Sequence, residues 1–133
     1  MTKLLFLAVT FASVSGYTCS DFSGQYTAPY DSNVVVTLVQ DNCDSISMLS
    51  SDGYKEVIPL KGEETTVDHN PDFDIITTES CTIKRNLISC TGYQVSDGIK
   101  DTVSREYRLL ENEDMSAKQS VGSMTNESIF KKK

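Results

Sequence analysis

The residues best spaced for chemistry lie in the stretch "DHNPDFDIITTE". Asp68, Asn70, Asp72, Asp74 and Glu79 take positions 1, 3, 5, 7 and 12 of a twelve-residue window. That is the spacing of a calcium loop, in which alternate residues of a tight turn converge six to eight oxygens on a hard cation. The pivot of such a loop is a glycine at position 6, which allows the sharp turn; here position 6 is Phe73 and position 4 is Pro71. The flanks read as strands and not helices. An acidic, solvated loop tip accounts for the same letters, and no calcium-dependent stabilisation is expected. His69 is the single histidine, so every Ser-His-Asp or Cys-His arrangement would have to pass through this loop, where an exposed imidazole is the simpler reading. With 19 acidic residues, some carboxylates fall close together by chance, and their pairing says nothing about glycoside hydrolysis. No catalytic residue is assigned, no cofactor is implied, and the chain is not expected to be an enzyme.

The four cysteines, Cys19, Cys43, Cys81 and Cys90, raise the question of metal, redox centre or staple. Zinc calls for ligand pairs at C-x₂₋₄-C spacing, and redox exchange calls for C-x-x-C; neither occurs. The stretch "CTIKRNLISC" answers differently. If Arg85 and Asn86 are the central residues of a two-residue hairpin turn, with Asn86 suited to positive φ, then Lys84 faces Leu87, Ile83 faces Ile88, Thr82 faces Ser89 and Cys81 faces Cys90. Counting out from the turn, the cysteines form a non-hydrogen-bonded pair, whose Cα atoms approach within roughly 4.5 Å, inside the range a disulfide accepts. The predicted pairing is Cys81–Cys90 and, by remainder, Cys19–Cys43. Because Ile83 and Ile88 share the pleat face of the sulfurs, the bridge is expected to point inward.

The opening "MTKLLFLAVTFASVSG" carries one early cation, Lys3, an apolar run from Leu4 to Val14 and then small residues, the layout of a secretory signal peptide over residues 1–16. The run is too short to cross a bilayer. An even cysteine count behind an export signal agrees with disulfides in an oxidising compartment, so a secreted or periplasmic protein is expected. Lys and Arg number 12 against 19 Asp and Glu, a formal net charge of −7, and cleavage would remove one of the cations. Such acidity argues against nucleic acid or an anionic membrane as partner. It identifies no partner.

The elements that must position these residues are strands. Short β-branched runs alternate with turn clusters and no long 3.6-residue periodicity occurs after the leader. "SGQYT" reads as a first strand. "NVVVTLVQ" (Asn33–Gln40) is the strongest, its nearly continuous apolar run suggesting burial on both faces or a place at the centre of a sheet. "SISMLS" and "YKEVIPL" flank a turn at Ser51-Asp52-Gly53, with Pro59 marking a sheet edge. "ETTVD" and "FDIITTE" follow, then the cysteine hairpin, "GYQV", a turn at "SDG", and "TVSREYRLL" as the last strand. The prediction is an all-β antiparallel meander of about eight or nine strands over residues 17–111, closed as a small barrel or folded as a sandwich, with two disulfides. Residues 112–133 are polar and Ser-rich, and read as a mobile tail. Within it Asn126-Glu127-Ser128 fits a glycosylation sequon. Strand alternation turns inward Tyr26, Val36, Leu38, Met48, Ile58 and Tyr107, among others.

"DFSGQY" (Asp21–Tyr26), near the start of a run of hairpin-connected strands, resembles the G-x-W opening of lipocalin-type barrels, with Tyr26 where that family has tryptophan. The resemblance implies a barrel that holds a small apolar ligand in its mouth, with Tyr26, Val36, Leu38, Met48, Ile58 and Tyr107 as cavity residues. It also implies that an arginine of the last strand, Arg105 or Arg108, packs across the aromatic ring; Arg105 shares a face with Val103, Tyr107 and Leu109. The expected function is therefore a secreted or periplasmic binding protein. The alternative is a protein-interaction module such as an adhesin, inhibitor or surface component, built on a solid core.

Overall fold

The computed structural model describes residues 19–70 and 74–133; the leader segment lies outside them. Ten antiparallel strands form one sheet: β1 (Gly24–Thr27), β2 (Val35–Asp41), β3 (Ser45–Ser50), β4 (Lys55–Pro59), β5 (Lys61–Asn70), β6 (Ile75–Lys84), β7 (Leu87–Ser96), β8 (Ile99–Leu109), β9 (Met115–Val121) and β10 (Met124–Lys132). The spatial order is β4-β3-β2-β1-β10-β9-β8-β7-β6-β5. Every hairpin neighbour pairs except β4 with β5, while the first and last strands pair with each other through Tyr26↔Lys132 and Thr27↔Lys131. The result is a meander nearly closed into a barrel, with its seam between β4 and β5. Pro59 lies in edge strand β4, where the missing N–H disrupts no ladder.

The register of the cysteine hairpin is the expected one: Cys81↔Cys90, Thr82↔Ser89, Ile83↔Ile88 and Lys84↔Leu87. Both disulfides form, Cys81–Cys90 with Cα atoms 4.0 Å apart and Cys19–Cys43 at 5.9 Å. Cys81 and Cys90 are buried and belong to the core, so the first bridge points inward. At the turn it is Arg85 that takes positive φ, 56°, and not Asn86. Asn86 instead donates from Nδ2 to the carbonyl of Leu109 at 3.1 Å, locking the turn onto the end of β8. The next hairpin turns on Asp97 and Gly98, both at positive φ, the conformation that a two-residue turn of this hand requires.

Two expectations are corrected. Residues 112–133 are not a tail: they form the hairpin β9–β10, and β10 carries the pairing to β1 that brings the barrel round. Their outward positions are mostly Ser, Thr, Lys and Glu because that face meets water, with Ile129 half-exposed among them, and backbone pairing, which composition does not reveal, holds them in place. The apolar run of β2 reflects its place inside the sheet, between β1 and β3, and not burial on both faces: Val36 and Leu38 point inward, whereas Val39 is 61 % exposed. β-branched residues suit a half-solvated pleat as well as a buried one.

The two ends of the barrel differ. At one end lie the β2–β3, β6–β7 and β8–β9 connections and the segment entering β1. Phe22, Ile46, Ile58, Leu60, Ile88 and Met115 fill this end, and the Tyr26 hydroxyl donates to the Phe22 carbonyl at 2.8 Å. The Gln40 side chain fastens the entering segment to β2: its Oε1 accepts from Phe22 N and its Nε2 donates to the carbonyls of Ser20 and Asn42. Cys19–Cys43 ties the same entering segment covalently to the β2–β3 turn. The other end, bounded by the β1–β2 loop, the β3–β4, β7–β8 and β9–β10 connections and the adjoining ends of β5 and β6, is not filled among the described residues.

Candidate functional site: a cavity at the open end of the barrel

A cavity of about 450 Å³ opens at the unfilled end. Its walls take Val36 and Met48 from β2 and β3, Tyr107 from β8 and Phe130 from β10, and Tyr30 and Tyr54 stand at its rim. Tyr30 is 67 % exposed, and its hydroxyl donates to Asp52 Oδ2 at 3.2 Å, bracing the β1–β2 loop against the β3–β4 turn. Of the residues expected to form a cavity, Val36, Met48 and Tyr107 line this one. Tyr26, Leu38 and Ile58 are buried in the packed core below.

The polar centre is Arg105, on β8. Its Nε donates to Glu79 Oε2 at 3.2 Å, and its Nη1 to Glu56 Oε1 at 3.2 Å and to the Tyr107 hydroxyl at 3.1 Å. Its Nη2 donates to Glu56 Oε2 at 2.6 Å and also to Glu79 Oε1. Both carboxylates are thus held in two-pronged geometry by one guanidinium, the strongest form of such contacts. Glu56 comes from β4, Glu79 from β6 and Arg105 from β8, so the triad ties the strands on either side of the seam where β4 and β5 make no ladder. Burial alone would favour the neutral guanidine; the hydrogen bonds that Arg105 donates to Glu56 and Glu79 and the charges around them more than offset it, and the Arg105 pKa lies above its ordinary value. Burial, reinforced by the Glu56 carboxylate, raises the Tyr54 hydroxyl well above the normal tyrosine range. Burial also raises Tyr107, with Arg105 pulling in the opposite direction.

Cys90 pairs with Arg105 across β7 and β8, so the Cys81–Cys90 bridge forms the floor beneath the triad. The Glu79 carboxylate and the two sulfurs lie within 4.8 Å of one another, yet the sulfurs are joined to each other and offer no thiolate to a metal. Gly92 makes room at this level. It faces Glu79 across β6 and β7, and a Cβ there would stand 1.9 Å from the Thr78 carbonyl oxygen, so the two strands approach more closely than any side chain permits.

Of the five oxygen donors considered for calcium, the three described ones do not share a setting. Glu79 points into the barrel and is engaged by Arg105, while Asp68 and Asp74 are exposed. Asp72 and the side chain of Asn70 lie outside the described residues. The arginine expected across the aromatic ring is elsewhere: Arg105 sits in the triad and Arg108 is exposed. Lys132 covers the Tyr26 ring instead, its Nζ 5.0 Å from the ring centre and donating to the Ser23 carbonyl. β10 is the strand that lies beside β1, so the cation over this ring comes from β10 and not from β8. Asn126 is exposed on β10.

The triad is not assembled by any local pattern, although its signal is present in the sequence. Glu56 alternates with Ile58, Glu79 with Thr77 and Cys81, and Arg105 with Val103 and Tyr107. Three charges at inward positions of strands must find one another.

No protein-family model matches the chain, and no curated protein shows significant similarity to it. Among the described residues, no helix is long and apolar enough to cross a membrane.

Proposed function

We propose that the protein is a non-enzymatic binding protein that takes a small molecule into the open end of its barrel. The observation that carries this reading is the contrast within the barrel: one end is packed and cross-linked, and the other holds a cavity of about 450 Å³, within the usual size range of ligand pockets. Its lining combines aromatic and aliphatic walls with a few fixed polar groups, the usual chemistry of such pockets. The absence of catalysis is supported by the commitment of the reactive groups: the four cysteines are in bridges, and Glu56 and Glu79 are held by Arg105. Two disulfides are typical of extracellular proteins and support secretion. The shape agrees with a lipocalin-like barrel, but the bound molecule should be amphipathic and not purely apolar, because the cavity has charges in its wall.

The test is titration of the oxidised protein with N-phenyl-1-naphthylamine, a neutral probe whose emission rises in apolar surroundings. Saturable one-to-one binding, lost in Met48→Trp, which fills the cavity, is the expected result. No binding to wild-type protein would remove this reading. It would leave the interaction module, which is favoured by Val39, Leu49 and Val57, all exposed on the outer face of β2, β3 and β4 beside an unpaired edge.

A further inference from the structure

We infer that the cavity selects a small organic cation, an amine carried on an aromatic or apolar body, and rejects carboxylates and other anions. The inference rests on the reading of the cavity as a ligand site and specifies the class of ligand. Arginine in a cavity usually suggests an anion. Here a guanidinium offers five N–H donors, and all five are spent within the protein: one on Nε, two on Nη1 and two on Nη2, directed to Glu79, Glu56 and Tyr107. An incoming carboxylate would have to displace one of two glutamates already held in two-pronged fashion.

The charge balance points the same way. Among the described residues, the only charged side chains lining the cavity are Glu56, Glu79 and Arg105, which sum to one negative charge. The side chains of the ion pairs are only 14 % and 11 % exposed, so this excess charge is held where water compensates it poorly. A carboxylate has about four accepting positions, and Arg105 uses two of those on Glu79. An ammonium group supplies three donors and the missing positive charge. Tyr30, Tyr54, Tyr107 and Phe130 line the same space and provide ring faces that attract a cation and pack its apolar body. On β3, next to the strand that carries Glu56, Ser50 Oγ is buried and makes no hydrogen bond of good geometry within the protein, though it lies close enough to Asp52 to help hold that carboxyl below its ordinary range. A donor entering the cavity would meet this hydroxyl as an acceptor.

The experiment compares three fluorescent ligands of nearly equal size: 2-(1-naphthyl)ethylamine, 2-(1-naphthyl)ethanol and 1-naphthylacetate. The amine should bind about ten-fold tighter than the alcohol, as expected for one hydrogen bond to a charged group, and the carboxylate weakest. Glu56→Gln, which neutralises the excess charge and keeps the shape, should bring amine and alcohol together, and Glu56→Asp should restore part of the difference. The wild-type comparison decides the matter even if a variant fails to fold. Equal binding of amine and alcohol, or preference for the carboxylate, overturns the inference while leaving the cavity as a ligand site. Binding of none of the three, and none of N-phenyl-1-naphthylamine, overturns both.

Discussion

The two ends of this barrel are made from the same ten strands and do opposite things with their inward positions. At the closed end these positions are apolar and packed: Phe22 is fully buried, Met115 and Ile88 are 1 % exposed, and Cys19–Cys43 and the Gln40 hydrogen bonds seal the entry of the chain. At the open end the same alternation delivers Glu56, Glu79 and Arg105, with tyrosines around them and unfilled space above. Buried ion pairs are a weak source of stability compared with apolar packing, since desolvation cancels much of the attraction. The open end thus places three charges where apolar packing would have contributed more to stability. The lesson is that one continuous sheet can divide its labour along the barrel axis, with burial below supplying the free energy that charges above do not.

The comparison is broken most severely at the boundary between the halves. Gly92→Ala should abolish the cooperative fold or cost more than the roughly 1–3 kcal/mol usual for overpacking, because the obstacle to its Cβ is the backbone oxygen of Thr78 and not a yielding side chain. Circular dichroism and a thermal melt would check this. A native-like melt for this variant would mean that the close strand approach which shapes the floor of the cavity is wrong.

Removing the Cys19–Cys43 bridge as Cys19→Ala/Cys43→Ala tests the closed end alone. The sequence separation is 24, for which the chain-entropy argument gives about 3.5 kcal/mol, against about 2.7 kcal/mol for a loop the size of that closed by Cys81–Cys90. Denaturant melts should show the larger loss with probe binding at the open end retained in the folded fraction. Loss of binding without loss of stability would reverse the assignment of the two ends.

The smallest effect concerns alkaline pH and sharpens the account of the open end. Tyr54 and Tyr107 are held neutral in the folded protein, chiefly by burial, as is Tyr26 in the core. A raised folded pKa means that the full stability is present below the unfolded tyrosine value of about 10 and is lost as pH rises beyond it toward the folded values. Melting temperature should therefore fall above pH 10, and Tyr107→Phe should reduce the steepness of that fall. An unchanged slope would place Tyr107 in a wetter setting than the cavity wall described.

How far these features are legible in the sequence depends on whether they are local. The cysteine hairpin could be read residue by residue because a two-residue turn fixes the register of everything beside it. The all-β class and the edge position of Pro59 follow from similarly local signals. The hairpin β9–β10 escaped because only Met115 in β9 is buried and β10 carries no alternation strong enough to see; pairing with β1, some hundred residues away in the chain, makes it a strand. Glu79 shows the same limit. In sequence it completes an acidic series with Asp68 and Asp74, whereas in space the strand turns it inward to Arg105, 26 residues further on. Arg105 was placed on the correct face, with Val103 and Tyr107, but its partners come from β4 and β6 and could not be named without the barrel.

The division of labour along the barrel is tested most directly by mapping amide chemical shifts while N-phenyl-1-naphthylamine is titrated into isotope-labelled, oxidised protein. The account predicts saturable shifts at Val36, Met48, Ser50, Glu56 and Tyr107, with Phe22, Ile46 and Met115 unmoved. Shifts confined to Val39, Leu49 and Val57 on the outer face, or no shifts at all, would contradict it.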